Sequence, residues 1–245
     1  MPFLFLSPST QEYNPYITGG SEEYWMNQLA DRMVPYLQAS GINVTRNDPD
    51  GTVGASIRAS NAGNYDFHLA LHSNAAPESL SGQLRGIDIY YYTRSLNGLR
   101  MANIIVDNLK EIYPLPGRVR AVPTTAIVEV RRTRAPAVLA ELGYHDNLED
   151  AQWITNNLTA IARSLSLSVT EYFGLPLLSP RPAREGTVRL ESGSLNLRGA
   201  PSISGSVLAS IPNGAAVSVL GSYNGWLSVN YDGLIGWVRS DFIAL

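Results

Sequence analysis

The sequence predicts an α/β domain, a mainly parallel sheet flanked by helices, followed by a small all-β barrel. Three observations lead there. From the N-terminus to about residue 175, short apolar runs bounded by turns alternate with stretches of helical periodicity, the pattern of a parallel sheet covered on both faces. Pro176, Pro180 and Pro182 then punctuate a semi-rigid stretch. Beyond it, short strand patterns are broken by glycines and no helical spacing recurs. These divide the chain into residues 1–175, a linker over 176–186 and a barrel over 187–245.

The first element is a buried strand over Phe3 to Leu6, after which a turn-rich loop runs to Thr18-Gly19-Gly20-Ser21. Ser21 can cap a helix whose apolar face carries Trp25, Leu29, Met33 and Leu37. Gly41 stops that helix and Ile42 to Thr45 forms the second strand. A short helix over Ser56 to Ala62 leads into a strand from Phe67 to His72, and Gly86 to Tyr92 alternates as another. Asn97 to Tyr113 is helical with Met101, Ile104, Ile105 and Leu109 inward. Val138 to Glu141 is the last strand of this half, and Asp150 to Phe173 a long final helix with Trp153, Leu158, Ile161 and Leu165 facing the core. In the barrel, strands fall at Leu195 to Arg198, Ala216 to Leu220, Trp226 to Val229 and Gly236 to Val238, with hairpin turns at Asn224-Gly225 and Asp232-Gly233.

Bulk properties exclude several functions. A net charge of −3 gives no reason to expect a nucleic-acid partner. With no cysteine, disulfides, thiolate metal sites and cysteine nucleophiles are excluded. His68, His72 and His145 are the only imidazoles, so a transition-metal site must draw on them and on carboxylates. No apolar stretch approaches the roughly 18 residues of a membrane span. Met1 to Pro8 lacks a basic region and is too short in its apolar part for a signal peptide, so the chain reads as leaderless or as trimmed of its leader.

Two residues stand out as chemistry. His72 and Glu141 each end an apolar run and precede a turn, and in open α/β sheets ligands bind just beyond the carboxyl ends of the strands. A histidine and a glutamate there read as a metal ligand and a general base, or else as ordinary polar residues at a loop edge.

The segments around them carry a resemblance. Leu71-His72-Ser73-Asn74-Ala75, followed by Gly86 and a strand ending in tyrosines, Pro136-Ala137-Val138-Leu139-Ala140-Glu141-Leu142-Gly143-Tyr144 with Asn147 nearby, and Glu23 with Asn27 follow in order and separation. Over residues 3–174 the chain resembles the zinc-dependent N-acetylmuramoyl-L-alanine amidases, the catalytic domains of bacterial autolysins and phage lysins. Residues 187–245, from Leu195-Asn196-Leu197-Arg198 through Gly225-Trp226 to Gly236-Trp237-Val238, resemble bacterial SH3-like cell-wall-binding domains.

The resemblance implies a zinc ion held by His72, Glu23 and a histidine in the loop after the first strand, with Glu141 as the catalytic carboxylate. The reaction implied is cleavage of the amide between N-acetylmuramic acid and L-alanine in peptidoglycan, at the bacterial cell wall. Asn74 and Arg131 are candidate substrate contacts, Arg131 because a guanidinium can grip a peptide carboxylate. The family's loop reads Asp-Pro-Gly-His-Gly-Gly, whereas this chain has Ser7-Pro8-Ser9-Thr10-Gln11-Glu12, which puts Thr10 at the histidine position. The third ligand is then His145, Gln11, Glu12 or water. His68 is excluded from sharing an ion with His72, because four strand residues span about 13 Å. A module of amidase fold that only binds the wall is the alternative reading.

Overall fold

The structure, a computed structural model, describes residues 2–245; Met1, where the expected first domain begins, lies outside them. Its first half is a six-stranded sheet made of β1 (Phe3–Pro8), β2 (Asn43–Arg46), β3 (Phe67–Asn74), β4 (Ile87–Tyr92), β5 (Val119–Thr124) and β6 (Ala137–Tyr144), in the order β2-β1-β3-β6-β4-β5. Every pairing is parallel except β4 with β6. Six helices accompany it: α1 (Glu22–Ala39), α2 (Val53–Ala62), α3 (Leu96–Lys110), α4 (Val128–Arg132), α5 (Leu148–Asn156) and α6 (Leu158–Phe173).

Strand alternation sorts the side chains. Leu4, Leu6, Leu69, Leu71, Ile87, Ile89, Val138 and Ala140 form the main core together with buried residues of α1, α3 and α6. On the opposite face, Ala70, Ala137 and Leu139 pack with Val130 of α4, and with Ile127, Tyr90 and Tyr92. The register places Ser7 beside Ala70, and His72 beside Glu141, on this second and more polar face.

Most expected elements are present, and the differences have local causes. Ser21 caps α1 by accepting from Tyr24 N–H, but the buried stripe is Met26, Leu29, Ala30, Met33 and Leu37, with Trp25 at its margin. The helical rotation of 100° per residue places Met26, not Trp25, over the sheet. The long final helix is interrupted at Asn157, which caps the C-terminus of α5 through its backbone N–H. Strand β5 and the single turn α4 carry too few apolar residues to show periodicity.

The second half is a seven-stranded sheet of β7 (Arg184–Val188), β8 (Ser194–Arg198), β9 (Val207–Pro212), β10 (Ala216–Tyr223), β11 (Trp226–Tyr231), β12 (Leu234–Arg239) and β13 (Ile243–Ala244), in the order β13-β7-β10-β11-β12-β8-β9. All its pairings are antiparallel. Both hairpin turns fall where expected: Asn224-Gly225 and Asp232-Gly233 have positive φ at both positions, the signature of turns that match strand twist. β7 starts at Arg184, so the proline stretch yields to barrel earlier than residue 187.

The barrel is docked, not dangling. Asn43 donates to the Ile235 carbonyl at 2.9 Å and accepts from Ile235 N–H at 2.9 Å. Ser228 Oγ donates to the Ala39 carbonyl, and Leu178 N–H donates to Ser40 Oγ. Trp237, fully buried, lies against Gly41, where an added Cβ would come within 2.2 Å of the indole nitrogen. Gly41 also has φ +82°, so both helix termination and domain contact require glycine there.

Candidate active site

The site forms where the carboxyl ends of β1, β3 and β6 meet the start of β4 and the N-terminus of α1. A cleft of about 370 Å³ opens there, lined among others by Ser7, Gln11, Thr52, Ser56, His72 and Glu129. His72 is the one imidazole in its lining. Its Nδ1 lies 2.8 Å from Glu22 Oε1 and 3.3 Å from Gln11 Nε2, and its Nε2 lies 3.7 Å from Glu129 Oε2.

Each carboxylate around the ring is itself held. Glu22, the first residue of α1, also accepts from Asn14 Nδ2 at 2.7 Å and from Ser73 N–H, and a helix N-terminus favours its charge. Glu129 accepts from Ser7 Oγ at 2.7 Å and pairs with His68 Nε2 at 3.0 Å. Glu141 differs from both: the residue is half-buried, yet its Oε2 is shielded from solvent and has no hydrogen-bond partner.

The titrations follow from this arrangement. Burial pushes Glu141 up to about 7, with His72 opposing and Glu22 and Asp88 adding to the rise. Burial would lower His72, but the neighbouring Glu129 and Glu22 carboxylates outweigh it and hold the ring near 10. Burial works against ionisation of Glu22 and Glu129 too, and their imidazole partners win, keeping both below the usual carboxylate range.

The expected residues come together only in part. His72 and Glu141 are register partners on neighbouring strands. Glu23 differs from the expectation: it accepts from Asn27 Nδ2 at 2.9 Å, four residues on along the helix, while Glu22 reaches His72. The face of Leu29 and Met33 projects back seven residues onto Glu22, and that periodicity was the available signal. His145 is buried with Nδ1 at 3.1 Å from Ser73 Oγ and its ring stacked on Tyr16, so it does not join Glu22 and His72. Asn74 accepts from Ala75 N–H at the end of β3. Arg131 and Glu12 are exposed. Thr10 lines the cleft, and Gln11 is the loop residue that reaches the ring. Glu129 and Asp88 went unnoticed because a carboxylate inside an apolar stretch has no motif of its own.

Among the described residues, no three His, Asp or Glu side chains are grouped to hold a metal ion. The donors present are Glu22, His72 Nδ1 and the Gln11 amide. A single ring nitrogen cannot donate to the Glu22 carboxylate and accept from the Gln11 amide at once. A cation at that meeting point removes the conflict, since an ionised carboxylate, a bare imidazole nitrogen and an amide are all donors to metals. Only Glu22 and His72 Nδ1 present ligand atoms, however: Gln11 turns its amide nitrogen to the ring while its oxygen accepts from Asn14 Nδ2 and Tyr13 OH, so the set falls one short of the three protein ligands usual for catalytic zinc.

The N-acetylmuramoyl-L-alanine amidase family profile matches residues 11–171, and the bacterial SH3 domain profile matches residues 193–244. No curated protein matches the chain. Among solved structures, N-acetylmuramoyl-L-alanine amidase AmiC2 of Nostoc punctiforme superposes with a TM-score of 0.60 at 16% identity, covering 71% of this chain and 97% of that one. The catalytic domain of CwlV, an amidase from Bacillus (Paenibacillus) polymyxa var. colistinus, gives 0.60 at 19% identity, covering 72% and 100%. The catalytic domain of the CD27L endolysin targeting Clostridia difficile gives 0.58 at 21%, covering 70% and 97%. At these identities the structures speak for the fold, while the profile spans more than half of the sequence. The chain thus belongs to the N-acetylmuramoyl-L-alanine amidase family and carries a bacterial SH3 domain behind its catalytic domain.

Proposed function

We propose that the chain hydrolyses the amide between the lactyl group of N-acetylmuramic acid and L-alanine in peptidoglycan, with the barrel holding it to the wall. The observation that carries this reading is the orphaned Glu141 Oε2 beside His72. A buried carboxylate oxygen without a partner costs stability, and a site that processes water and an amide supplies the missing partner.

The zinc general to the family would meet Glu22 and His72 Nδ1 here, and would make a bound water acidic and polarise the scissile carbonyl. Glu141 takes the proton of the attacking water onto Oε2 as the oxygen bonds to the carbonyl carbon. It then delivers that proton to the amide nitrogen, the C–N bond breaks, and the peptide leaves with a free L-alanine amine. A carboxyl titrating near 7 can both accept and release a proton at neutral pH.

The test is release of L-alanine amino termini from purified peptidoglycan. The full chain should generate them with added zinc and Glu141→Gln should not. Protein that sediments with walls yet frees no amine would establish the binding-module alternative.

A further inference from the structure

We propose that the cleft rim formed by α2 and α4 receives the carboxylates of the peptide leaving group, through Arg58, Arg131 and Arg132. That identity of the ligand rests on the amidase reading. Both helices line the cleft, α2 through Val53 and Ser56 and α4 through Val128 and Glu129. They are tied together from below by His68 of β3. Its Nδ1 lies 3.0 Å from Ser60 Oγ on α2, and its Nε2 lies 3.0 Å from Glu129 Oε1 on α4. From outside, Asn61 Nδ2 donates to the Arg132 carbonyl at 2.8 Å, and Asn61 Oδ1 accepts from Arg134 N–H at 2.6 Å.

These anchors decide which side chains face outward. Glu129 and Val130 are buried, so the next two residues of the turn, Arg131 and Arg132, are exposed. Arg58 is exposed too, and its guanidinium folds back over the first turn of α2. A Cβ at Gly54, next to Val53 of the cleft lining, would lie 3.4 Å from its Nη1. The single acidic residue of the two helices is the buried Glu129. Among the described residues Arg58, Arg131 and Arg132 form no ion pair, although Asp48 and Asp50 stand in the turn before α2. Arg134 is set apart, since its Nη1 donates to the Asn61 carbonyl and it shares a shallow pocket with Asp66. Like charges gathered on one rim repel one another, and an anion relieves them. A guanidinium's planar fork matches a carboxylate with two parallel bonds. The reaction supplies one, because a peptide that begins at the L-alanine amine ends in a carboxylate. Attached at the scissile amide beside His72 and Glu141, that peptide would run along the α2–α4 wall.

The test is the fluorescence anisotropy of a muropeptide labelled on its sugar, titrated with full-length Glu141→Gln so that turnover does not intrude. One probe keeps its free carboxylates and a second has them amidated. Adding Arg58→Gln, Arg131→Gln and Arg132→Gln together should weaken binding of the free-carboxylate probe by about tenfold. The amidated probe should be unaffected. Arg163→Gln, exposed on α6 across the sheet, should alter neither. An equal loss for both probes, no loss for either, or no binding of either by the parent would overturn the proposal. Should the triple change unfold the chain, added salt decides, since it should weaken the free-carboxylate probe alone. Amine release by the chain with Glu141 intact is scored separately. Carboxylate-dependent binding without amine release would sink the hydrolase reading alone. Release with binding indifferent to carboxylates would sink this proposal alone.

Discussion

Asp88 stands opposite Glu141 across the antiparallel β4–β6 junction of the catalytic sheet. Because β4 runs against its neighbour, its first residues meet the carboxyl end of β6, and two carboxylates, Asp88 buried and Glu141 half-buried, share one corner. Arg120, on the neighbouring parallel strand β5, grips Asp88 through contacts of 2.8–3.0 Å. That pairing engages Asp88 with a guanidinium, whereas Glu141 Oε2 has no partner.

Glu141→Gln should lower turnover by roughly 10²–10⁴-fold while keeping the fold. It should also change how stability depends on pH. Glu141 ionises near 4.5 when unfolded and near 7 when folded. Below pH 4.5 both states are protonated and nothing is lost. Between 4.5 and 7 the unfolded state alone ionises, so native stability falls as pH rises, and above 7 the penalty is constant. In chelator, Glu141→Gln should therefore gain on the wild type across that window, by on the order of 3 kcal/mol. Parallel denaturation curves at pH 4.5 and 7.5 would refute the buried-carboxylate account.

Glu22 and Glu23 offer a test between neighbours. Glu22→Gln should abolish most zinc binding and activity, because its carboxylate lies against His72. Glu23→Gln should be close to wild type, since its partner is Asn27 on the helix surface. Zinc titration of the two variants reads this directly, and a larger loss in Glu23→Gln would reverse the assignment.

Gln11→His should raise zinc affinity at least tenfold, because imidazole is a better zinc ligand than an amide and the side chain already reaches the ring. His145→Ala should leave affinity nearly unchanged, since that ring is engaged by Ser73 and Tyr16. Its expected signature is instead a lower melting temperature, from the cavity beside Tyr16. Zinc loss in His145→Ala would restore it as a ligand.

Gly41→Ala should destabilise the chain by about 2–4 kcal/mol, combining a left-handed backbone position with a collision against Trp237. Calorimetry should show one cooperative transition in the wild type and two separated ones in the variant. A single transition at an unchanged midpoint would mean the indole moves aside at no cost.

Much of the sheet was legible because its strands are apolar runs and its helices carry stripes; Leu69, Leu71 and Val138 advertise burial by alternation alone. His72 and Glu141 were legible for the same reason, as polar residues closing such runs. Glu22 was obscured by an adjacent carboxylate, and only the phase of the stripe through Leu29 and Met33 tells the two apart. Gln11 was one of several candidates for the loop position, with nothing local to select it over Glu12 or His145, and Glu129 could not be read, since its place beside His68 depends on a distant part of the chain folding back. The barrel's attachment was equally hidden: nothing local tells that Asn43 hydrogen-bonds to Ile235, 192 residues away.

That attachment leaves the enzyme with almost no slack. A module swinging on a flexible tether samples many separations and lets the catalytic cleft graze a broad zone around each anchoring point. Here the Trp237–Gly41 joint and the Asn43–Ile235 hydrogen bonds set one offset between barrel and cleft. On a wall the barrel grips, scissile bonds at that offset would meet a high effective concentration and all others essentially none. Progress along the polymer would then demand release and re-gripping, a stride of fixed length.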